Sequence, residues 1–318
     1  MVPGLTNING IKVGVVSDTG AATGVTVVLV EEGAGAAVEV RGSAPGTRET
    51  DLLLPGRLVE EIQALVLAGG SAYGLDAAAG VVDYLEEKGC GFPVDRCRVP
   101  IVPAAVLFDL LIGDDHVRPD KEMGYRACAG ASTGPVPEGS VGAGCGATVG
   151  KIHGMDYAVK SGQGSYAFFK GNLVVAALVA VNAFGDVYDR RGRLLAGPRD
   201  PQTGLMERTI DLLIGNRGGG ASGNTTLGVV ATNADLSRSS LQKVCQLAHN
   251  GLARSIWPVH TMWDGDIIFA LSRGDIKADI NIVGLMAAEA VTTAVERAIV
   301  TAAPLCGVPA ASELKVKE

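Results

Sequence analysis

Apolar and polar residues follow one another along the first part of the chain in a pattern that predicts strands and then helices. Residues 13–16 and 25–30 are apolar, β-branched runs separated by a glycine-containing turn, and residues 37–41 form a third such run. Residues 60–67 and 75–87 instead carry apolar side chains at helical spacing. The pattern therefore predicts three strands followed by two helices.

The rest of the chain repeats this mixture with longer apolar runs. Residues 99–111 predict a strand that runs into a loop, because two prolines interrupt the run. Residues 173–181, 225–232 and 267–272 predict buried strands, and residues 241–256 predict a helix. The charged, Gly- and Pro-rich segment between the first two of these strands, residues 186–223, is predicted to be a surface loop. The fold class indicated by the pattern is α/β.

Composition excludes several classes of protein. A chain of 318 residues can bury a large core, and its 44 glycines and few aromatic residues suit closely packed layers of small side chains. The net charge of -7 argues against binding to nucleic acid or to an anionic membrane surface. The negative charge is only weakly consistent with a cationic partner such as a free amine, and the expected partner is a small peptide or amino-amide substrate.

No part of the sequence predicts a membrane segment. Residues 1–14 lack the basic start and apolar centre of a signal peptide, and residues 280–303 carry Glu289, Glu296 and Arg297. The six cysteines show no C-x-x-C pair and no zinc spacing, which is typical of reduced thiols in a cytoplasmic protein. We expect a cytoplasmic protein with no cofactor and no metal ion.

The most informative stretch is residues 215–233, GNRGGGASGNTTLGVVATN. Its glycine-rich first part, residues 215–223, predicts a mobile loop, and a β-branched strand starts directly after Asn224. The Thr225 hydroxyl is placed to attack the Asn224 carbonyl, which would leave Thr225 as a new N-terminus. Its free α-amine, with a pKa of about 7.7–8.0, would then serve as the general base. By pattern alone, a plain flexible linker is the ordinary interpretation, because Gly-rich loops that lead into strands are common.

The segment GNTTLGVVATNADL resembles the self-cleavage segment of the DmpA-like aminopeptidases, a family that includes L-aminopeptidase/D-esterases, β-aminopeptidases and nylon-oligomer hydrolases. The resemblance extends from LTNINGIKVG near the start to the last helix. It implies a four-layer α/β/β/α sandwich of the DmpA and ornithine acetyltransferase type, acting as an N-terminal-nucleophile hydrolase. It also implies one domain cut into chains 1–224 and 225–318, and a homo-oligomer of such αβ protomers.

The same resemblance assigns two further polar residues to the site. Lys151 ends GAGCGATVGK, which is no phosphate loop because Cys145 and Ile152 stand where a glycine and a hydroxyl residue are needed. Such a lysine is usually solvated, but in the family it lies beside the nucleophile, where its charge would stabilise the deprotonated amine and the oxyanion. Asn182 ends a predicted buried strand; it either caps a turn or, as in the family, donates its amide N–H to the oxyanion.

Two aspartates come shortly after the nucleophile strand. Asp264 and Asp266 flank a glycine at the start of the 267–272 run, and their i, i+2 spacing directs both carboxylates to one face. A plain turn or a calcium loop also uses D-G-D, although no further calcium ligands follow. In the family, the matching positions contact the nucleophile and its amine; which aspartate does which stays open. His260 is kept as a minor alternative base.

The segment GGSAYG resembles a family segment near the active site. Gly70, Ser71 and Tyr73 are therefore candidate substrate-binding residues, although simple helix packing, with Ser71 as an N-cap, explains them equally well. The sequence departs from the family at Phe108 and Asp109, where relatives use a tyrosine hydroxyl to hold the oxyanion. This departure puts the oxyanion geometry in question.

Together these features predict a self-processing aminopeptidase or amidase that hydrolyses amides or esters of small amino-bearing substrates through a Thr225 acyl-enzyme. Two alternatives remain open from the sequence. One is acyl transfer like that of an ornithine/glutamate N-acetyltransferase, and the other is an uncleaved, non-catalytic binding protein. The sequence does not choose between α-, β- and ω-amino substrates.

Overall fold

The computed structural model describes residues 3–215 and 223–317, which form sixteen strands and five α-helices. The strands are β1 Lys12–Asp18, β2 Thr23–Val40, β3 Gly46–Arg48, β4 Glu61–Ala68, β5 Phe92–Val94, β6 Cys97–Val99, β7 Ala104–Val106, β8 Thr148–Val149, β9 Val159–Lys160, β10 Gln163–Lys170, β11 Leu173–Asn182, β12 Asp186–Tyr188, β13 Leu194–Ala196, β14 Thr225–Ala234, β15 Ile256–Trp257 and β16 Ile267–Ile276. The helices are α1 Ala77–Glu87, α2 Lys121–Ala129, α3 Thr209–Ile214, α4 Arg238–Ser255 and α5 Ile280–Val300.

One mixed sheet of nine strands carries the fold. Its order is β10-β11-β14-β16-β2-β4-β7-β3, and β1 pairs with β2. The pairs β14/β16 and β4/β7 are parallel, and the other pairs are antiparallel. The long strand β2 belongs to both halves, because its first part pairs with β4 and its last part pairs with β16. It therefore joins two sheet layers in one chain segment.

Three buried cores separate four layers. Along β2, Val27 and Leu29 pack toward α1 and α2, whereas Val28 and Val30 pack into an inner core, as expected from the two-residue period of a strand. That inner core also holds Leu178, Leu227 and Phe269 from the other half of the sheet. The opposite face of β11, β14 and β16 packs on α4 and α5. This arrangement is the four-layer α/β/β/α sandwich that the resemblance implied.

Most of the predicted elements are present. The strands predicted at residues 13–16, 25–30, 173–181, 225–232 and 267–272 and the helices predicted at residues 75–87 and 241–256 are confirmed. Residues 37–41 do not form a separate strand, because all but the last of them belong to the end of β2. The predicted mobile loop at residues 215–223 covers positions 216–222, which lie outside the described residues.

Three predictions differ from the structure in whole or in part. Residues 60–67 form β4 rather than a helix; seven of its eight residues are buried, so both faces are apolar and the alternation that marks a strand is absent. Of residues 99–111, only Ala104–Val106 forms a strand beyond the end of β6. The segment 186–223, predicted as loop, contains β12, β13 and α3.

Helix α5 is the longest of the five and lies in an outer layer against β10, β11 and α4. Its charged residues Glu289, Glu296 and Arg297 each form an ion pair with another part of the chain. Within residues 3–215 and 223–317, no helix combines the length and the apolar character needed to cross a bilayer.

Helices α1 and α2 cross at two glycines. A Cβ placed on Gly80 would lie 1.8 Å from the carbonyl oxygen of Lys121, and one on Gly124 would lie 1.9 Å from that of Ala77. Both contacts are with backbone, which cannot move aside as a flexible side chain can. The high glycine content therefore serves close layer packing here, as the composition predicts.

We expect Gly80→Ala to lower the free energy of unfolding by about 1–3 kcal/mol, because the added methyl group forces the two helices apart. The matched control is Gly130→Ala at the end of α2, where φ is -90° and a Cβ would make an ordinary contact at 3.4 Å. The control should change stability by less than about 0.5 kcal/mol. Denaturant unfolding of the three proteins measures both effects, and equal stability of Gly80→Ala and wild type would contradict the close crossing.

Candidate active site

The Asn224–Thr225 peptide bond lies in the middle of the main sheet. Thr225 is the first residue of β14, which runs between β11 and β16, and its Cα partner across the ladder is Asn182. Asn224 and Thr225 are only 2% and 4% exposed. The Thr225 hydroxyl donates a hydrogen bond to the carbonyl oxygen of Asn224. The hydroxyl therefore lies against the carbonyl group of the preceding residue.

The Asn224 carbonyl oxygen also accepts a hydrogen bond from the backbone N–H of Gly265, at 2.9 Å. A side chain is not tolerated at position 265, because a Cβ there would lie 2.6 Å from the Thr225 hydroxyl oxygen and 2.5 Å from the carbonyl oxygen of Ala44. A backbone donor at this place would stabilise negative charge that develops on the carbonyl oxygen. Sequence reasoning missed Gly265, although the glycine between the two aspartates was the available signal.

Lys151 and Asn182 meet next to this peptide bond. The Lys151 ammonium donates to Asn182 Oδ1 at 2.7 Å, and the Thr148 N–H donates to the same oxygen at 3.1 Å. The Asn182 amide nitrogen donates to the carbonyl oxygens of Phe108 at 2.9 Å and of Gly223 at 3.4 Å. Its N–H groups thus hold the backbone that leads to the junction. Its predicted role as an oxyanion donor stays a prediction.

Lys151 is not a solvated surface lysine. Burial lowers its pKa to about 7, and the nearby charge of Lys160 lowers it further. The negative charges of Asp264, Asp109 and Asp266 act in the opposite direction and raise it. Near neutral pH this lysine is therefore divided between its charged and neutral forms. It can supply positive charge to the site and can also accept a proton.

A second buried lysine was missed by sequence reasoning. Lys160 is fully buried, and its ammonium donates to the carbonyl oxygens of Gly144 at 3.3 Å, Ala147 at 2.8 Å and Ser161. Burial lowers the pKa of Lys160 to about 7. These bonds fix the segment that leads to Lys151. Nothing in the local pattern around Lys160 distinguishes it from an ordinary strand residue.

Asp264 and Asp266 lie just before β16 and make different contacts. Asp264 accepts from the Thr261 N–H at 2.9 Å, the Thr261 hydroxyl at 2.6 Å and the Phe184 N–H at 3.3 Å. Burial, and then the charge of Asp266, raise the pKa of Asp264. Asp266 accepts from the Thr226 N–H at 2.7 Å and from His260 Nδ1 at 2.8 Å. Asp266 is therefore the carboxylate that binds the backbone of β14 directly.

The candidate substrate-binding segment reaches the site through Asp109. The Gly70 N–H donates to Asp109 Oδ1 at 2.6 Å, and burial raises the pKa of this carboxyl to about 6. Ser71 is not an N-cap: Gly70 holds that position, and Ser71 is the first residue of a 3-10 turn. Tyr73 is 59% exposed, with the Arg118 guanidinium 3.8 Å from its ring centre. That Gly70, Ser71 and Tyr73 bind substrate stays a prediction.

Phe108 occupies the place where the family tyrosine was expected. Its ring lies against Gly223, since a Cβ on that glycine would come within 2.5 Å of the ring. Phe108 has no hydroxyl to donate to an oxyanion. The backbone N–H of Gly265 is the donor that the structure brings to the Asn224 carbonyl instead.

The described residues contain no cluster of three or more His, Cys, Asp or Glu side chains arranged to hold a metal ion.

Comparison with known proteins identifies the family of this chain. The model of Peptidase family S58 matches residues 4–311. The chain is 39% identical to an "uncharacterized aminopeptidase" of Mycobacterium leprae, over 96% of this chain and 92% of that protein. It is 32% identical to a 6-aminohexanoate-oligomer endohydrolase of Paenarthrobacter ureafaciens, over 90% of this chain and 83% of that protein.

Two solved structures share the fold. A Burkholderia sp. beta-aminopeptidase superposes with a TM-score of 0.70 at 20% identity, over 96% of this chain and 89% of that one. The L-aminopeptidase D-Ala-esterase/amidase of Ochrobactrum anthropi superposes with a TM-score of 0.69 at 19% identity, over 95% and 88% of the two chains. The latter is described as a variant of the Ntn hydrolase fold. With that fold and a family match over nearly its whole length, the chain belongs to peptidase family S58.

Proposed function

We propose that this chain cuts itself between Asn224 and Thr225 and then acts as an aminopeptidase or amidase with Thr225 as its N-terminal nucleophile. Family membership and the relatives' names make the chain a hydrolase of the peptidase or amidase kind. The observation that carries the finer proposal is the contact of the Thr225 hydroxyl with the Asn224 carbonyl, whose oxygen also receives the Gly265 N–H.

In the proposed self-cleavage, the Thr225 hydroxyl oxygen adds to the Asn224 carbonyl carbon and the hydroxyl proton passes to the departing nitrogen. The C–N bond breaks and an ester joins Asn224 to the Thr225 side chain. Water then hydrolyses that ester, which leaves a carboxylate on Asn224 and a free amine on Thr225. The Gly265 N–H, 2.9 Å from the carbonyl oxygen, stabilises the charge that forms on it.

Turnover of a substrate repeats this chemistry with an external amide or ester. The free α-amine of Thr225, with an ordinary pKa of about 7.7–8.0, takes the hydroxyl proton as the base. Lys151 lies beside the junction, where it donates a hydrogen bond to Asn182. When Lys151 is charged, its positive charge favours the neutral form of the Thr225 amine. Asp264 and Asp266 add negative charge around the site, which favours a substrate that carries a free amino group.

The first prediction is that the purified protein consists of two chains. Dividing 32.5 kDa in proportion to length at residue 224 gives about 23 kDa and about 9.6 kDa. The smaller chain should begin Thr-Thr-Leu-Gly, which N-terminal sequencing of the band from a denaturing gel determines.

Two variants make this test specific. Thr225→Ala should leave one intact chain, because the attacking hydroxyl is gone. Thr226→Val, which removes the neighbouring buried hydroxyl without changing the size of the side chain, should still be cut. A soluble wild-type protein that stays full length would contradict the proposal and favour the uncleaved binding protein.

The second prediction concerns the buried carboxylates. Asp264→Asn and Asp266→Asn keep the side-chain size but remove a negative charge. Each should slow self-cleavage or turnover about a hundredfold, which corresponds to a loss of about 2.7 kcal/mol of transition-state stabilisation. The control is Asp275→Asn on an exposed part of β16, which should keep the wild-type rate. Wild-type rates in both buried variants would mean that the D-G-D segment is only a turn and has no part in the reaction.

The third prediction follows from the lowered pKa of Lys151. Its folded-state pKa is about 7 against an ordinary 10.5, so between these values the unfolded chain binds more protons than the folded one. The contribution of Lys151 to the free energy of unfolding is therefore lowest below pH 7, and it rises as the pH increases from 7 toward 10.5. In a Thr225→Ala background, Lys151→Met should remove part of that rise between pH 7 and 8.5, about 1 kcal/mol per pH unit.

Denaturant unfolding at the two pH values measures this slope. Lys243→Met on the exposed side of α4 should leave it unchanged, whereas Lys160 should still contribute in all three proteins. An identical slope in Lys151→Met and in its Thr225→Ala parent would show that Lys151 is charged in the folded protein throughout this range.

A further inference from the structure

The second residue of β14 has an unusual hydrogen-bond partner. Parallel pairing of β14 with β16 begins at Leu227 and Ile267, one residue beyond Thr226. The Thr226 N–H is directed toward this side and has no strand carbonyl to meet there. It donates instead to Asp266 Oδ1 at 2.7 Å. The carboxylate thus takes the place of the missing ladder acceptor.

This bond fixes the peptide plane between Thr225 and Thr226. In the uncut chain, Thr225 is held by the backbone on both sides. Once the bond to Asn224 is broken, as the proposed function requires, the Thr225–Thr226 peptide is the only backbone link that orients the new N-terminal residue. The position of the Asp266 carboxylate then determines where the amine and the hydroxyl of Thr225 point.

His260 holds that carboxylate. Asp266 Oδ2 accepts from the His260 backbone N–H at 3.1 Å and from His260 Nδ1 at 2.8 Å. His260 has a left-handed backbone conformation, with φ of 57°. Asp266 is 1% exposed and the His260 side chain 17% exposed, so water competes little for these bonds.

A second histidine keeps the His260 ring in place. The rings of His249 and His260 meet edge to face with centres 4.9 Å apart. A nitrogen of His249 lies 3.1 Å from the Glu39 carbonyl oxygen, and burial lowers the His249 pKa to about 4, so its ring is neutral at physiological pH. Within the described residues, His260 Nε2 is buried without a hydrogen-bond partner, so Nδ1 alone ties the ring to a polar group.

We infer that His260 is a positioning residue of the Thr225 nucleophile, acting through Asp266 and the Thr226 N–H. It makes no contact with the reacting atoms. Its ring and backbone N–H fix one carboxylate oxygen so that the other can fix the backbone of the cut chain. This inference rests on the proposed function, since it matters only if Thr225 becomes an N-terminus.

Three substitutions at His260 separate this role from simple packing. Glycine, asparagine and aspartate all tolerate a left-handed backbone, so backbone strain is matched among them. His260→Asn offers a side-chain N–H close to where Nδ1 stands, His260→Gly offers none, and His260→Asp is nearly the size of asparagine but repels Asp266. The full-length protein is produced for each, and melting temperature, the extent of self-cleavage, kcat and KM on an amino-acid p-nitroanilide are measured.

We expect His260→Asn to keep kcat within about threefold of wild type, and His260→Gly and His260→Asp to lower it at least about tenfold with KM nearly unchanged. If His260 served only to pack the fold, the variants would differ from wild type in melting temperature. His260→Asn and His260→Asp would then not differ in kcat alone. Wild-type kcat in His260→Gly, or a folded His260→Asn as slow as His260→Asp, would overturn the inference.

The failure of the proposed function gives a different result. A wild-type chain that is neither cut nor active on any amide would overturn the proposed function, and this inference with it. A wild-type enzyme that is cut and active, beside His260 variants with unchanged kcat, would overturn the positioning role alone.

Discussion

The hydrogen bond from the Gly265 N–H to the Asn224 carbonyl oxygen is the contact on which the arrangement of the site depends. It forms because Asn224 pairs with Asp264 as a parallel bridge just ahead of the β14/β16 ladder. The same ladder brings the D-G-D segment beside the start of β14, with Gly265 against the Thr225 hydroxyl and Asp266 on the Thr226 N–H. One strand pairing thus supplies a hydrogen-bond donor to the Asn224 carbonyl oxygen, space for the Thr225 hydroxyl and an acceptor for the Thr226 N–H.

Around this contact the protein buries charge of both signs. Lys151, Asp109 and Asp264 are all shielded from water, and each has a pKa shifted toward its neutral form chiefly by burial. Isolated buried charges are costly, so such groups persist only where hydrogen bonds and opposite charges offset the cost. Here those partners are backbone N–H groups, the Thr23 and Thr261 hydroxyls and the Asn182 side chain.

Phe108 stands where the resemblance led us to expect a tyrosine. Its ring lies on Gly223, beside the chain that leads to Asn224. Meanwhile its carbonyl oxygen holds the Asn182 amide. Phe108 therefore packs beside the Asn224–Thr225 junction, and the Asn224 carbonyl oxygen receives its hydrogen bond from a backbone N–H, that of Gly265.

The sequence by itself determined the β14 strand, the Asn224–Thr225 junction at its start, the α/β class and the family, because these depend on local patterns and on continuous motifs. It failed at β4, where burial of both faces erased the alternation, and it did not reveal Gly265, Lys160 or the contact of His260 with Asp266. The bonds from Gly265 to Asn224 and from Thr226 to Asp266 join segments about 40 residues apart. Only the pairing of β14 with β16 creates them, and only the packing of four layers decides which lysine loses contact with water.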